Sequence, residues 1–308
     1  MPIIVDYNHT AISSLLGGAA QMKKAPHDMG IDFFRHMVLN ALRNYRSKFK
    51  AKYGDLVIAC DHPHSWRREA FPPYKRNRKK TRSASDINWK VIFEWMGQLQ
   101  DELRESFPYP VLQRVNAEAD DVIAAIVRHH AASYEEADFG PLSIPVANRT
   151  LIVSGDDDFM QLQIYPSVDQ YLPVKGRFAK LEIPARQFLK EHTLEGDTGD
   201  GIPNALSGDN VLITPGVRQT PLRAKIKEAA MAAEGEELLK IAPHFARNNM
   251  LINLIDPQVP VLDELVVRDY TDQLNILTRE ECSRRRQQLL TYFMTHRMKH
   301  LTEYLGDF

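Results

Sequence analysis

The sequence predicts an α/β fold in which a mostly parallel central sheet carries helices on both faces, followed by a smaller, mainly helical lobe. Two observations predict this fold. Short apolar strands alternate with amphipathic helical patterns in the first part of the chain, and strand signals fade after residue 184 while helical patterns continue. The length of 308 residues suits one large domain or two modest ones. We therefore expect an α/β domain at 1–183 and a mainly helical lobe at 184–308.

Each predicted element rests on a local pattern. Apolar runs predict strands at 3–5 ("IIV"), 56–60 ("LVIAC") and 150–153 ("TLIV"), and a short edge strand at 109–114, where Pro108 and Pro110 limit pairing. Helical periodicity predicts helices at about 32–49, 87–106 and 117–134 in the first domain. In the second lobe it predicts helices at about 184–192, 222–233, 236–256 and 279–304.

The composition excludes several classes of protein. Two cysteines, Cys60 and Cys282, are too few for a disulfide framework or a cysteine-rich zinc module, and they fit a reducing compartment. No apolar run approaches the roughly 18 residues of a membrane span, and the opening run is too short for a signal peptide. We expect a cytoplasmic protein without a membrane partner.

Aspartates follow three of the predicted strands directly. Asp6 ends the first strand, Asp61 the second, and Asp156 follows "TLIVSG". Because the carboxyl ends of parallel strands lie along one edge of a sheet, where ligands bind, we expect these three carboxylates to converge.

Two further acidic motifs extend this set. "EADD" at 118–121 is, by itself, an ordinary acidic helix start, and "GDTGDGIP" at 196–203 an ordinary turn. Together with the strand-end aspartates, they give nine acids in five short motifs: Asp6, Asp61, Glu118, Asp120, Asp121, Asp156, Asp158, Asp197 and Asp200. All-oxygen sites suit Mg²⁺ or Mn²⁺ rather than Zn²⁺, and nine acids exceed the needs of one ion. Two ions would clamp a phosphodiester for attack by water.

A basic stretch, "WRREAFPPYKRNRKKTR" at 66–82, directly follows the second strand. It contains eight basic residues, one acidic residue and the aromatic residues Trp66, Phe71 and Tyr74. Cations interleaved with aromatic faces are typical of single-strand binding, although a basic run alone is often a solvated loop. Its position beside the carboxylates favours nucleic-acid binding.

In sequence order, "IIVDYN", "YKRNR", "NAEADD", "SGDDDF" and "GDTGDGIP" resemble the motifs of the flap-endonuclease-like 5′-nuclease superfamily. The overall spacing, "WRR", "RQTP" and the final "HLTEYLGDF" look most like the ribonuclease H group of T-even-type bacteriophages, which has the flap-endonuclease fold. The motifs span residues 6 to 200, about two thirds of the chain.

The resemblance implies two Mg²⁺ ions, with Mn²⁺ able to substitute. The ligands of the first ion would be Asp6, Asp61, Glu118, Asp120 and Asp156. The ligands of the second would be Asp158, Asp197 and Asp200. Asp121 would orient water or ligands behind the metals, and Asp157, at a variable position of the family, should be exposed.

The resemblance also makes the basic stretch an arch over the site, at about 63–88. Lys75 and Arg78 would stabilise the charge of the transition state. The expected nucleic-acid contacts of the arch are Arg67, Arg68, Tyr74, Arg76, Lys79 and Lys80. In the second lobe the tandem glycine pattern that usually grips duplex DNA is missing, and the expected phosphate contacts are Arg218, Arg223 and Lys225.

The implied function is a hydrolase with 5′-3′ exonuclease, flap-endonuclease and ribonuclease H activity. It would remove RNA primers and 5′ flaps from DNA and RNA–DNA duplexes during lagging-strand replication or repair. Expected protein partners are a single-strand-binding protein and a sliding clamp, the latter through the tail "YLGDF". Two alternatives stay open: a single-strand ribonuclease on a similar acidic sheet, and a non-catalytic DNA-binding factor with a degenerate site.

Overall fold

The computed structural model describes residues 1–135 and 149–308, and among these the side chains of Lys79, Lys80 and 133–135 are not described. One six-stranded sheet has the order β3-β2-β1-β4-β5-β6, and only β6 is antiparallel to its neighbour. The strands are β1 (Ile3–Asp6), β2 (Leu56–Ala59), β3 (Val111–Leu112), β4 (Thr150–Val153), β5 (Val168–Leu172) and β6 (Arg177–Phe178).

Helices separate and follow the strands. They are α1 (Tyr7–Met22), α2 (Ile31–Tyr53), α3 (Trp66–Ala70), α4 (Arg76–Ser83), α5 (Trp89–Ser106), α6 (Ala119–Glu135), α7 (Ala185–Glu195), α8 (Ala224–Ala232), α9 (Gly235–Ile241), α10 (Phe245–Ile252), α11 (Pro260–Ile276) and α12 (Arg279–Thr295). Short 3₁₀ helices cover Pro26–Asp28, Asp157–Ile164 and Lys299–Asp307.

The alternation of side chains along the strands places one apolar core on each face of the sheet. Ile3 and Val5 point into a core built with α1, α2, α5 and α12. Ile4, between them, points into the opposite core, which α6 and α11 cover. The predicted parallel sheet with helices on both faces is confirmed.

The order of the strands explains where a ligand can bind. β1 pairs with β2 on one side and with β4 on the other, all three in parallel. The chain therefore reverses its winding direction between β1 and β4, and the carboxyl ends of these strands border the crevice where ligands bind in such sheets.

Several elements were not predicted. Helix α1 was missed because its sequence, "YNHTAISSLLGGAAQM", contains two glycines and only weak amphipathicity. Strand β5, "VDQYL", alternates too briefly to stand out, and β6 has only two residues. Helix α11 lies in a stretch where no helix was expected, and the predicted helix 236–256 is divided into α9 and α10.

The division at 183/184 stays a prediction, but the packing after residue 260 bears on it. Leu262 and Val266 of α11 lie in the core beneath α6. Leu289 and Phe293 of α12 lie in the core on the other face of the sheet. The last helices thus complete the α/β core rather than forming a separate one.

The C-terminal tail is packed against this core. Phe308 is fully buried beside Phe107 and Phe293. Arg43 donates to Asp307 at 3.1 Å, and Arg286 donates to the carbonyl oxygen of Phe308 at 3.1 Å. The tail in this arrangement does not present Phe308 to a partner, so the expected docking of a sliding clamp through "YLGDF" has no support here.

Replacing this aromatic anchor should destabilise the fold. We expect Phe308→Ala to lower the free energy of unfolding by about 3–5 kcal/mol, the usual cost of emptying a buried aromatic site. Urea denaturation would measure it, with Val174→Ala, at a side chain that is 78% exposed, as the control. A loss below about 1 kcal/mol for Phe308→Ala would show that the tail is not docked.

No helix within 1–135 or 149–308 is long and apolar enough to span a bilayer.

Candidate metal centre and nucleic-acid interface

The ends of β1 and β4 are tied together at the carboxyl edge of the sheet. Asp6 ends β1 and caps α1 by accepting from the backbone N–H of His9 at 3.0 Å. Ser154 donates its hydroxyl to Asp6 at 2.9 Å and accepts the backbone N–H of Asp156 at 3.2 Å. Asp156 in turn caps the 3₁₀ helix that follows, accepting from the N–H of Asp158 at 2.9 Å. As expected, Asp157 is exposed.

The end of β2 is joined to the start of α6. Asp61 accepts from the side chain of Asn8 and from the backbone N–H of Ala119, both at 2.7 Å. Asp121 accepts from the backbone N–H of Glu118 at 2.9 Å, which fixes the turn before α6. The predicted convergence of Asp6, Asp61 and the "EADD" acids at one edge is thus observed.

Glu118 and Asp200 meet at the base of the arch. The ammonium of Lys75 lies 2.8 Å from Glu118 and 3.4 Å from Asp200. The hydroxyl of Tyr74 donates to the same two carboxylates, at 2.8 and 2.9 Å. Arg78 also pairs with Asp200. The arch therefore supplies two cations to the acidic edge, one of which bridges acids expected in different metal sites.

Gly201 allows this close approach. The backbone N–H of Lys75 donates to the carbonyl of Asp200 at 2.6 Å. Gly201 has a φ of +76°, and a Cβ there would lie 3.0 Å from the carbonyl oxygen of Pro73. A side chain at this position would push the arch away from the acids.

One group of three potential ligands is compact. Among the described residues, only Asp158, His192 and Asp197 place ligand atoms within 4.8 Å of one another. Asp200, expected in this site, is held instead by the arch, and His192 was not predicted. A histidine on an amphipathic helix gives no sequence signal, and the expected all-oxygen ligand set did not include it.

The five acids expected around the first ion are less compact. No three of Asp6, Asp61, Glu118, Asp120 and Asp156 form a comparably tight group within the described ranges. They remain electrostatic neighbours. Glu118 pairs with the ammonium of Lys75, whereas Asp61 accepts from Asn8 and Asp6 from Ser154, both neutral donors.

The pKa values report this excess of negative charge. Burial and the charge of Asp6 raise the pKa of Asp61 to about 6. Burial and the charge of Asp158 raise the pKa of Asp156 to about 7. Burial, together with Asp156, raises the pKa of Asp120 well above its usual value, although Lys75 opposes this. A divalent cation bound beside these carboxylates would favour their ionised form and so lower their pKa values.

The acids also raise the pKa values of the neighbouring basic side chains, and here the rise favours the charged form. Burial disfavours the ammonium of Lys75, but the charges of Asp200 and Glu118 outweigh it and raise its pKa. Burial likewise opposes the charge of His192, but contact with Asp158 and the charge of Asp197 raise its pKa. Both side chains therefore act as counter-ions to the acids.

A divalent cation should stabilise the protein most at alkaline pH. The folded state holds protons on Asp61 and Asp156 between about pH 4 and pH 7, whereas the unfolded chain has released them, so metal-free stability falls as the pH rises through this window. Mg²⁺ at about a hundredfold excess over its Kd should raise the Tm by roughly 5–10 °C at pH 8 and by less at pH 5. Thermal melts in Mg²⁺ and in chelator would measure this. Equal shifts at both pH values would contradict it.

A cavity of about 800 Å³ opens beside the acids, between the arch and α5. Its wall includes the acids Asp61 and Glu118. It also includes five cationic side chains: Arg68, Lys75, Arg76, Arg78 and Arg82. Phe93, which is 38% exposed, projects from α5 with the Arg82 guanidinium 4.9 Å from its ring centre. Cations beside an accessible aromatic ring are typical of single-strand binding. Phe93 was missed as a contact because it lies outside the basic run, and Arg82, the last residue of that run, was not named among the expected contacts.

Two of the expected nucleic-acid contacts are wrong. Arg67 is 2% exposed, pairs with Asp121 at 2.8 Å and donates to the carbonyl of Leu251 at 2.8 Å. Tyr74 is 4% exposed, and its ring packs in a core with Phe71. Both side chains make buried contacts at the base of the arch and are not available to nucleic acid, because the acids beneath the arch need buried donors.

The other expected contacts have varied positions. Arg68 and Arg76 are exposed and face the cavity. Lys79 and Lys80 lie outside the described side chains. Arg218, Arg223 and Lys225 are exposed but do not line this cavity, and their role stays a prediction.

Comparison with known proteins adds independent evidence. Residues 20–188, more than half of the chain, match the family described as 5′-3′ exonuclease, N-terminal resolvase-like domain. The ribonuclease H of Enterobacteria phage T4 is 24% identical over 311 residues, covering 99% of this chain and 95% of that protein. The flap endonuclease Xni of Shewanella baltica (strain OS155 / ATCC BAA-1091) is 28% identical over 206 residues, 62% of this chain and 70% of that protein.

Solved structures share the fold. T5 5′-exonuclease with bound divalent metal ions (zinc) superposes with a TM-score of 0.59 at 16% identity, over 90% of this chain and all of that chain. T5 D15 protein co-crystallised with metal ions gives a TM-score of 0.60 at 16% identity, over 89% of this chain and 98% of that chain.

Proposed function

The chain belongs to the 5′-3′ exonuclease family, and from this premise we propose that it is a metal-dependent nuclease that cleaves phosphodiesters near the 5′ ends of flapped, nicked and primed duplexes. The observation that carries the proposal is the juxtaposition of an acidic sheet edge with a basic cavity under the arch. An acidic edge alone would repel nucleic acid, and a basic cavity alone would only bind it.

The acids fit a pair of divalent ions. Asp6, Asp61, Asp120 and Asp156 would hold one ion, aided by Glu118, and Asp158 and Asp197 would hold the other. When bound, two such ions would supply Lewis-acid chemistry for hydrolysis, by polarising the scissile phosphate and activating water. We propose Mg²⁺ as the physiological ion of the first site, with Mn²⁺ able to replace it.

Lys75 and Arg78 would stabilise the phosphate as its charge develops. Both cations already lie at the acids, paired with Glu118 and Asp200. Phosphate oxygens brought between the arch and the sheet would compete with those carboxylates for the ammonium and the guanidinium. Asp121 acts behind them as a positioning residue, since it holds Arg67 and the backbone of Glu118.

The cavity would hold the 5′ strand. Arg68, Arg76 and Arg82 can pair with successive phosphates, and Phe93 offers a face on which a base can stack. Neither contact reads a base edge, which suits an enzyme that selects its substrate by shape rather than by sequence.

The biological role that follows is removal of RNA primers and 5′ flaps during lagging-strand replication or repair, in the cytoplasm. Ribonuclease H activity on RNA–DNA duplexes belongs to the same proposal. A single-strand-binding protein and a sliding clamp remain proposed partners, although the clamp would need a surface other than the packed tail.

Both alternatives are less well supported. A single-strand ribonuclease would use the acids but would not need a cavity bounded by five basic side chains. A non-catalytic DNA-binding factor would not benefit from carboxylates whose pKa values are raised by mutual repulsion, because that repulsion costs stability and weakens phosphate binding.

The proposal is tested with 5′-labelled substrates. Purified protein in Mg²⁺ should release short 5′-labelled fragments from flapped, nicked and RNA-primed duplexes, and chelator should stop release. Preferred cleavage of single-stranded RNA would favour the ribonuclease alternative. Tight binding of all duplexes without cleavage, in either Mg²⁺ or Mn²⁺, would favour the binding factor.

A further inference from the structure

His192 lies where two elements bring it to the acidic edge. It occupies the last turn of α7, which packs against the 3₁₀ helix Asp157–Ile164 that carries Asp158. The ring of Phe188, one turn earlier, stacks on the imidazole with 5.9 Å between the ring centres and an interplanar angle of 12°. The imidazole is therefore oriented by packing as well as by charge.

The Nε2 atom of His192 lies close to a carboxylate oxygen but makes no well-aligned hydrogen bond among the described residues. It lies 2.8 Å from Asp158 Oδ1, yet it is a buried polar atom without an aligned hydrogen-bond partner among the described residues. A buried nitrogen left in this way indicates that a further ligand belongs at the site.

Asp200 is not available as the third ligand of this group. Tyr74 donates to one of its carboxylate oxygens at 2.9 Å, and Arg78 pairs with the other. Among the described residues, Asp197, by contrast, accepts only the backbone N–H groups of Gly199 and Asp200, at 2.7 and 3.2 Å, and keeps oxygen lone pairs for a cation. The compact donor set is thus two carboxylates and one imidazole.

We infer that His192 supplies a nitrogen ligand to a metal site shared with Asp158 and Asp197, and that this site prefers a first-row transition-metal ion to Mg²⁺. The inference deepens the proposed function, on which it rests for the presence of a divalent ion. Mg²⁺ strongly favours oxygen ligands, whereas an imidazole nitrogen is a good ligand for transition-metal ions. The protein would then carry two unlike sites: an oxygen site suited to Mg²⁺ and a mixed site with one nitrogen.

Electron paramagnetic resonance of bound Mn²⁺ tests the inference without substrate. In tag-free protein, pulsed spectra of Mn²⁺ should show hyperfine coupling to a histidine nitrogen. His192→Gln should abolish that coupling and lower Mn²⁺ affinity at one site about 10-fold or more, while Mg²⁺ affinity changes little. His9→Gln is the matched control, because the His9 ring lies against Gly155 beside the other acids. It should leave the coupling intact.

The outcomes separate the inference from the proposed function. Wild-type spectra without nitrogen coupling, or coupling lost in His9→Gln instead, would overturn the role of His192 even if flaps are cleaved. Nitrogen coupling in the wild type that disappears in His192→Gln would support it even if no substrate is cleaved. If His192→Gln does not fold, the presence or absence of nitrogen coupling in the wild-type and His9→Gln spectra still tests the inference.

Discussion

Asp156→Asn should reduce the rate of flap cleavage by about 10³-fold or more while leaving binding of the flap substrate nearly unchanged. Loss of one charged metal ligand removes several kcal/mol of charge stabilisation, and about 4 kcal/mol corresponds to three orders of magnitude in rate. Single-turnover cleavage and fluorescence anisotropy of a labelled flap in Ca²⁺ would measure the two quantities separately.

The substitution should spare the fold. The side-chain oxygen of Asp156 caps the following 3₁₀ helix, and asparagine can make the same hydrogen bond. Its carboxylate has a pKa raised to about 7 by burial and by Asp158, so loss of the charge relieves repulsion. We therefore expect the metal-free variant to have a higher Tm than the wild type at pH 8, and to gain less from Mg²⁺.

Asp157→Asn is the matched control for Asp156→Asn. It makes the same chemical change at the next residue, which is exposed and is not among the expected metal ligands. It should retain full activity. Equal activity of Asp156→Asn and Asp157→Asn would contradict the assignment of Asp156 to the metal centre.

Lys75→Gln should slow cleavage by roughly 10²–10³-fold, the usual effect of removing one group that stabilises a developing charge. The ammonium lies between Glu118 and Asp200, within 3.4 Å of both, so a phosphate held by metals at this edge would meet it directly. Binding of the flap should change little, because the arch retains its other cations. Rapid-quench measurement of the cleavage step under single-turnover conditions would separate it from product release.

Arg76→Gln provides the comparison for Lys75→Gln. Arg76 is the next residue along the arch, is exposed and lines the same cavity without contacting an acid of the site. It should weaken flap binding in a salt-dependent manner and leave the cleavage step of bound substrate nearly intact. The reverse pattern, with Lys75→Gln impaired only in binding, would show that Lys75 is a strand contact rather than part of the catalytic machinery.

The sheet and its acidic edge could be predicted because each depends on local signals. An apolar run that ends in aspartate marks both a buried parallel strand and the edge on which its side chain must lie. Asp6, Asp61 and Asp156 could therefore be placed at this edge from the sequence. Helix α1 carried no such signal, because its glycines and small residues owe their helical state to packing between β1 and α2.

The misassigned residues share a different cause. A basic run shows that cations are needed but not which of them turn inward, and Arg67 proved to be a buried partner of Asp121 while Arg68 faces the cavity. His192, Phe93 and Phe308 acquire their roles only from elements far away in sequence. The roles of such residues depend on tertiary packing, which hydrophobic periodicity and motif spacing do not reveal.

Anomalous diffraction from crystals grown with Mn²⁺ would test most directly whether distant acids jointly hold a pair of metal ions. We expect one peak bounded by Asp6, Asp61 and Asp156 and a second bounded by Asp158, His192 and Asp197. Crystals that contain ordered Mn²⁺ elsewhere, with no anomalous peak at the carboxyl edge of β1 and β4, would contradict the account.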